Sequence, residues 1–378
     1  MYPSKIIMDN LIEEITNLHK NRLTLLKATN KRSIGWVSIY TPEEIVYAAG
    51  MIPYRITGET RTEISKAGGY MHRNICPYVL SCLEEGLDKV YDFSEGVIIA
   101  NACDARRGLY DVWKYFKETD FVHMLDLPKA INAATKDYFA KEIAHLIETL
   151  ENRYHCQIQQ PDLKEAISLC NETRQHLQRL YDLRKRETPP ITGVQALNIV
   201  RASMTGLKKE FNLKMSRLLE KLETSDLENN ADKHRVMICG SFFDHTHIIE
   251  LIEQMDAVVV CEDMSNGIKY FEGEVDTQKD PVTALADYYL DKATCARMLD
   301  SERRFNHMWQ LIEDYHVESV IYITLKFCDS NLIDFYYQKR RLSEEDIPVL
   351  FIETERIPTN LGQIRTRIQA FLEARGWF

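Results

Sequence analysis

Apolar residues fall in short, dense runs along this chain, and most of these runs are followed by a helical pattern. GWVSIY (35–40) reads as a strand. TPEEIVYAAG follows as a helix, with Thr41 as its cap, Pro42 at the first helical position and Glu43 and Glu44 in the positively polarised first turn; Gly50 stops it. MIPYRI (51–56), EGVIIANA (95–102) and FVHMLDL (121–127) make three further strands, the last closed by Pro128. From Arg235 the series recurs, with RVMICGS as strand, HTHIIELIEQM as helix, and DAVVVCED, VESVIYITL and IPVLFIE as strands. Strands alternating with helices predict parallel, doubly wound sheets. The expected fold is therefore α/β, with two Rossmann-like domains related as a structural repeat.

Between the two series the period changes. YFAKEIAHLIETLENRY and LKEAISLCNETRQHLQRLYDLRK carry helical spacing, broken at Pro161 and at Pro189-Pro190. The expected organisation is an N-terminal α/β domain with a leading helix over 1–128, a helical insert over 129–232 and a C-terminal α/β domain over 233–378.

Composition narrows the chemistry. The 378 residues suffice for more than one core. A formal charge of −10, with no basic stripe, argues against a nucleic-acid surface, which needs Lys and Arg to displace counterions. No apolar run approaches the roughly 18 residues of a membrane span. The start, MYPSKIIMDNLIEEITNLHK, mixes charges into its apolar positions, so no signal peptide is expected and the cytoplasm is the expected compartment. Nine cysteines in a reducing compartment imply buried thiols or metal ligation rather than disulfides.

One corner occurs twice. NACDARRGLYDVWK (101–114) ends an apolar run with Cys103 and Asp104 and turns helical, and LKFCDSNLIDFYYQ (325–338) does the same with Cys328 and Asp329. Both cysteines fall at the carboxyl edge of a strand, where doubly wound folds bind ligands, and just ahead of a helix whose dipole favours the thiolate. Cys76, followed by Pro77, is a third thiol placed at a helix start. Three such thiolates suffice to hold an iron–sulfur cluster while leaving one iron without a protein thiolate. Asp104 and Asp329 read as helix caps. Cys239 and Cys261 within strands, Cys156 and Cys170 within helical stretches, and Cys295 in a polar segment read as structural; Cys82 faces away from Cys76. Asp244-His245-Thr246-His247 lacks further ligands at other strand ends, no glycine fingerprint for a dinucleotide follows any strand, and no Walker loop is present.

These segments together resemble an iron–sulfur subunit of the 2-hydroxyacyl-CoA dehydratase and benzoyl-CoA reductase superfamily, a dehydratase D-component. The resemblance is carried by GWVSIYTPEEIVYAAGMIPYRITGE, NICPYVLSCLEEGL, EGVIIANACDARRGLYDVWKYF, LIEQMDAVVVCEDMSNGIKYF, LKFCD and GQIRTRIQAF, in that order along nearly the whole chain. It implies a [4Fe-4S] cluster on Cys76, Cys103 and Cys328. It also implies a homologous partner subunit, in a heterodimer or homodimer, and a separate ATP-hydrolysing iron–sulfur activator that delivers single electrons. The implied reaction eliminates water from a 2-hydroxyacyl-CoA through a ketyl radical to give a 2-enoyl-CoA, in anaerobic metabolism. The alternatives are a component of an ATP-dependent benzoyl-CoA reductase or double-cubane-cluster reductase, and a non-catalytic metal-binding scaffold. Glu43 and Glu44 are candidate catalytic groups; Ser38, Tyr40, Arg365 and Arg367 are candidate substrate-binding groups. Cys261-Glu262 departs from the family's commoner Asp pair.

Overall fold

Near-continuous apolar runs suit strands covered on both faces, and the chain uses them in two parallel sheets. The computed structural model describes residues 3–60, 63–117, 119–224 and 233–374. β1 (Ser33–Trp36), β2 (Ile52–Arg55), β3 (Gly96–Ala100) and β4 (Phe121–Leu125) form the first sheet, in the order β2-β1-β3-β4. β5 (His234–Gly240), β6 (Ala257–Asp263), β7 (Ser319–Leu325) and β8 (Val349–Thr354) form the second, in the order β6-β5-β7-β8. The permutation is the same, which makes the two halves a structural repeat. In each sheet the strand order reverses beside the first strand, so each has a switch point at the carboxyl ends of its first and third strands.

Helices α1 (Pro3–Lys20) and α2 (Arg22–Ala28) precede the first sheet, and α3 (Glu43–Ala48), α4 (Pro77–Leu87) and α5 (Asp104–Phe116) connect its strands. The middle of the chain is α6 (Ala133–Tyr154), α7 (Gln160–Leu183), α8 (Gly193–Ser203) and α9 (Lys208–Glu223). The second half carries α10 (His247–Glu253), α11 (Ile268–Phe271), α12 (Pro281–Asp291), α13 (Ser301–Asp314), α14 (Asp329–Glu344) and α15 (Leu361–Glu373). Among the described residues no helix is long and apolar enough to cross a membrane.

The middle helices share their core with both sheets. α6 packs on β4 and α12, α7 on α3 and α11, and α8 on β6 and α10. One apolar cluster accordingly includes Trp36 from the first sheet, Phe139 and Phe211 from the middle helices, and Tyr289 from the second half. The leading helix α1 packs on α8 and α9. Of the expected boundaries, 128/129 falls in the loop between β4 and α6, and 232/233 abuts residues 225–232, outside the described residues.

Three local expectations change. The strand expected over 35–40 ends at Trp36, because the chain turns at Ser38, whose carbonyl accepts from Thr41 N at 3.0 Å. Pro42 rather than Thr41 holds the cap of α3, with extended backbone at φ −73° and ψ 97°, and helical residues begin at Glu43. Cys156 lies just past α6, not within a helix.

Candidate functional site

Each of the three singled-out cysteines sits at the N-cap of a helix: Cys76 before α4, Cys103 before α5 and Cys328 before α14. Asp104 and Asp329 are therefore the first helical residues rather than the caps expected of them, and their carboxylates lie in the positive first turn. Proline fits the first turn of a helix because its missing N–H has no intrahelical acceptor there, so Pro77 starts α4 immediately after Cys76. Cys103 is extended, at φ −153° and ψ 165°, where β3 gives way to α5. Phe327, with φ 59°, turns the chain after β7 so that Cys328 N donates to Leu325 O at 3.1 Å.

The two sheets bring these caps together. Arg55 Nη1, at the end of β2, donates to Ser265 O at 2.8 Å, and Tyr78 of α4 packs its ring 4.2 Å from that of Phe242, which follows β5. Buried Arg356 donates to Thr57 O at 3.1 Å and to Asp244 Oδ2 at 2.8 Å, tying a loop of the second half to the first. Gly240 closes β5 at φ +122°, and a Cβ there would stand 2.0 Å from Ile323 O, so the backbone runs close to β7 as it enters the corner.

Between the halves lies a cavity of about 250 Å³, lined by Cys76, Cys103, Cys295 and Cys328 together with Tyr40 and Arg106. Its walls come from the carboxyl edges of β1, β3, β5 and β7, the two switch points facing each other. The cysteines stand around this space: among the described residues no three of the His, Cys, Asp and Glu side chains converge closely enough for one metal ion. The Cys76 and Cys328 thiols interact across the two halves. That contact, aided by Asn331 Nδ2 donating to Cys328 Sγ at 3.2 Å, brings the Cys328 thiol down to about 6 against the opposing effect of burial. The Cys76 thiol is pushed well up, by the same contact and then by burial.

Arg106 Nη1 donates to Ser38 Oγ at 3.4 Å, and its charge is held firmly on the guanidinium, against the cost of burial, by Cys103 and Tyr78 and less strongly by Cys295 and Cys76. Tyr40, fully buried, accepts at its hydroxyl from Cys295 N at 2.9 Å. Ser38 does not line the cavity and reaches it through Arg106. Cys295, read from sequence as structural, lines the cavity instead, because the loop between α12 and α13 folds over the first sheet's edge: Lys292 Nζ donates to Ile39 O at 2.6 Å. Burial, with Arg174 nearby, lowers Lys292 to about 7. No spacing signal pointed to Cys295 or Lys292, since their partners lie more than 250 residues away in sequence.

The remaining candidates lie elsewhere. Glu43 accepts from Tyr270 Oη at 2.7 Å and pairs with Lys208 Nζ at 3.5 Å. Glu44 pairs with Arg174 at 2.5 Å and accepts from Tyr289 Oη at 2.9 Å. Both carboxylates are buried, neither lines the cavity, and both join α3 to other helices. Arg365 and Arg367 are exposed on α15, where Arg367 donates to Phe351 O at 2.6 Å. Cys239 and Cys261 are buried in β5 and β6, Cys170 in α7, and Cys82 in α4, away from the cavity lining. Glu262 takes a two-point ion pair from Arg184 at 2.7 and 2.9 Å.

Comparison with known proteins bears on this arrangement. Residues 38–374 match the family model described as 2-hydroxyglutaryl-CoA dehydratase, D-component. The chain is 26% identical to the (R)-phenyllactyl-CoA dehydratase beta subunit of Clostridium sporogenes, over 95% of its own length and 96% of that protein. It is 26% identical to a benzoyl-CoA reductase subunit of Thauera aromatica, over 91% of each chain. To the (R)-2-hydroxyglutaryl-CoA dehydratase beta subunit of Acidaminococcus fermentans it is 25% identical, over 96% and 98%. With that match running from the first switch point through the last helix, the chain belongs to the 2-hydroxyglutaryl-CoA dehydratase D-component family, which it shares with subunits of dehydratases and of benzoyl-CoA reductase.

Proposed function

We propose that this chain is the iron–sulfur subunit of a radical 2-hydroxyacyl-CoA dehydratase, which eliminates water from a 2-hydroxyacyl-CoA to give a 2-enoyl-CoA after one-electron activation by a separate ATP-hydrolysing iron–sulfur protein. The observation that carries this reading is the set of three helix-capping thiols, Cys76, Cys103 and Cys328, drawn from both sheets onto one cavity. The donor chemistry fits a [4Fe-4S] cluster: thiolates are its ordinary ligands, and here they surround a space wider than one ion needs. Bound there, the cluster would supply single electrons at low potential.

The protein's own groups prepare that site. The N-termini of α4, α5 and α14 set the positive ends of three helix dipoles beside the cavity, where an anionic ligand set would stand. Arg106, oriented by Ser38, places a fixed positive charge beside an anionic ligand set. Tyr40 keeps the 292–300 loop seated on the cavity wall. Glu43 and Glu44 serve the reading as anchors between α3 and the middle helices, and Arg365 and Arg367 are left to the solvent. Exposed Phe327, Ile333 and Tyr336, at and just beyond the Cys328 corner, suit coverage by a homologous partner subunit, which would keep water and oxygen from the cavity in the cytoplasm.

Similarity to the benzoyl-CoA reductase subunit, at the same 26% identity as to the phenyllactyl-CoA dehydratase subunit, supports a second reading as a reductase component. Electron stoichiometry separates the two. Purified anaerobically with its partner subunit, then supplied with activator, ATP and a strong reductant, the complex is expected to turn over a 2-hydroxyacyl-CoA with far less than one electron consumed per product, because the final radical returns its electron. Two electrons consumed for every product molecule, with a reduced thioester released, would replace the dehydratase reading with the reductase one.

A further inference from the structure

The corner after β6 holds a line of charged side chains that leads away from the cavity. Lys269, on α11, lines the cavity wall, and its Nζ stands 3.0 Å from Asp263 Oδ2 at the end of β6. Asp263 Oδ1 stands 3.2 Å from Nδ1 of His307 on α13, and His307 Nε2 stands 2.9 Å from Glu272 Oε2. His307 and Glu272 in turn line a second pocket, of about 460 Å³, which shares no lining residue with the cavity. Side-chain exposure is 10% at Lys269 and 5% at Asp263, then 14% at His307 and 39% at Glu272, so the line opens to solvent at its Glu272 end.

An ion pair that only braces the fold needs two partners. Here Asp263 and His307 each touch two neighbours through different atoms, so the contacts run from one pocket to the other. Burial works to raise the Asp263 carboxyl, but Lys269 and then His307 outweigh it and hold it well below the usual carboxylate range. Burial works to lower Lys269, and Asp263 outweighs that in turn, helped by the Cys239 thiol and by Asp334, which pairs with Arg304 at 2.6 Å. These influences are mutual. Once Lys269 gives up a proton, the strongest pull on the Asp263 carboxyl is gone, and Asp263 becomes a better acceptor for the His307 proton.

We propose that Lys269, Asp263, His307 and Glu272 form a proton relay that connects water in the outer pocket with the cavity. The inference deepens the dehydratase reading, on which it rests: a covered cavity that expels the hydroxyl of a 2-hydroxyacyl-CoA needs a proton to release it as water. In one transfer the Lys269 ammonium protonates the departing hydroxide. The His307 imidazolium then passes a proton through the Asp263 carboxylate to Lys269 Nζ, and the neutral imidazole regains one from water at the outer pocket, beside Glu272. One proton leaves the solvent, one water forms in the cavity, and no electron moves in the relay.

The test uses the anaerobically purified complex with activator, ATP and reductant, and the His307→Gln, His307→Gly and Glu274→Gln variants. Both His307 variants should lower turnover near neutral pH by at least about tenfold, with iron content and subunit assembly unchanged. Added imidazole should restore His307→Gly, since the outer pocket has room for the ring, and leave His307→Gln as it was, because the glutamine fills the place. Glu274→Gln, which lines the same pocket but takes no part in the line, should match wild type. Undiminished turnover in both His307 variants, or a loss in His307→Gly that imidazole does not restore, overturns the relay and leaves the dehydratase reading standing. Nuclear magnetic resonance of histidine-labelled protein supplies a measurement that needs neither cluster nor substrate. His307 should titrate at about 9 in wild type and move upward by at least about half a unit in Lys269→Met, because Asp263 is then less neutralised. A His307 titration that ignores Lys269 overturns the relay whatever the activity. Wild-type complex that turns over no 2-hydroxyacyl-CoA overturns the dehydratase reading, and the relay is then judged by the titration alone.

Discussion

The two halves share a strand order but divide the site unequally. In the first, Cys103 follows the third strand and Cys76 follows the loop after the second, so it contributes two capping thiols. In the second, Cys328 follows the third strand, but β6 ends at Asp263 and the segment after it carries Asn266 and Lys269 and no cysteine before Cys295. Asp263 is tied to Lys269 at 3.0 Å and to His307 at 3.2 Å, so this corner became a buried ion cluster. The repeat thus fixes where a ligand can sit, while the residue at each strand end decides whether one does.

Breaking a capping thiol should have the largest effect. Replacing Cys103 or Cys328 by Ala is expected to take bound iron from about 4 per chain to near zero in anaerobically prepared protein, and Cys76→Ala should do the same. Cys239→Ala, on β5 beside the second corner but buried outside the cavity lining, should retain the iron. Retention in either single variant of the Cys103 and Cys328 pair would mean that one half suffices, and the comparison would fail.

The middle helices grip the halves by the same device, used twice on α7. Arg174 pairs with Glu44 of the first half at 2.5 Å, and Arg184 pairs with Glu262 of the second, with neither Arg184 nor Glu262 exposed. Removing one partner of such a pair leaves a buried charge uncompensated, at a cost of about 3–5 kcal/mol. Arg184→Met and Arg174→Met are each expected to lower the unfolding free energy by that order in urea titrations, and Arg184→Met combined with Glu262→Gln should recover part of the loss. A loss below about 1 kcal/mol in either single variant would show that its half is held chiefly by apolar packing.

Two histidines sharpen the contrast through pH. His19 in the first half is brought down to about 4 by burial, with Arg201 and Arg22 opposing the pull of Glu59. Its neutral form is the folded one, so its contribution is present above about 6.5 and is lost as pH falls toward about 4. His307 in the second half is raised to about 9: burial works against it, but the carboxylates of Asp263 and Glu272 outweigh burial. Its contribution is complete below about 6.5 and disappears as pH rises through about 9. His19→Gln should flatten the acid limb of a stability-against-pH curve and His307→Gln the alkaline limb, each by up to about 3 kcal/mol. Unchanged limbs would show that neither environment survives in solution.

Much of the architecture was legible in the chain. Apolar runs of strand length located all eight strands to within a few residues. Local signals also placed the three capping thiols, since Pro77 and the Cys-Asp corners mark helix starts whatever surrounds them. The cap at Pro42 was missed because Thr and Pro both suit a helix entry, and the turn at Ser38 decided between them.

By itself the sequence determined the repeat, the helix starts and the three cysteines at them, because each depends on neighbours within a turn or a strand. Only the tertiary structure decided which side chains face one another. Glu43 and Glu44 carry the same local signature as catalytic carboxylates at a strand end, yet Lys208, Tyr270, Arg174 and Tyr289 claim them from across the chain. Cys295 carries no local signature, yet Tyr40 and Lys292 bring it to the cavity through contacts more than 250 residues apart in sequence. Burial in a shared core sets these partners, and that core forms only when both sheets and the middle helices have packed together.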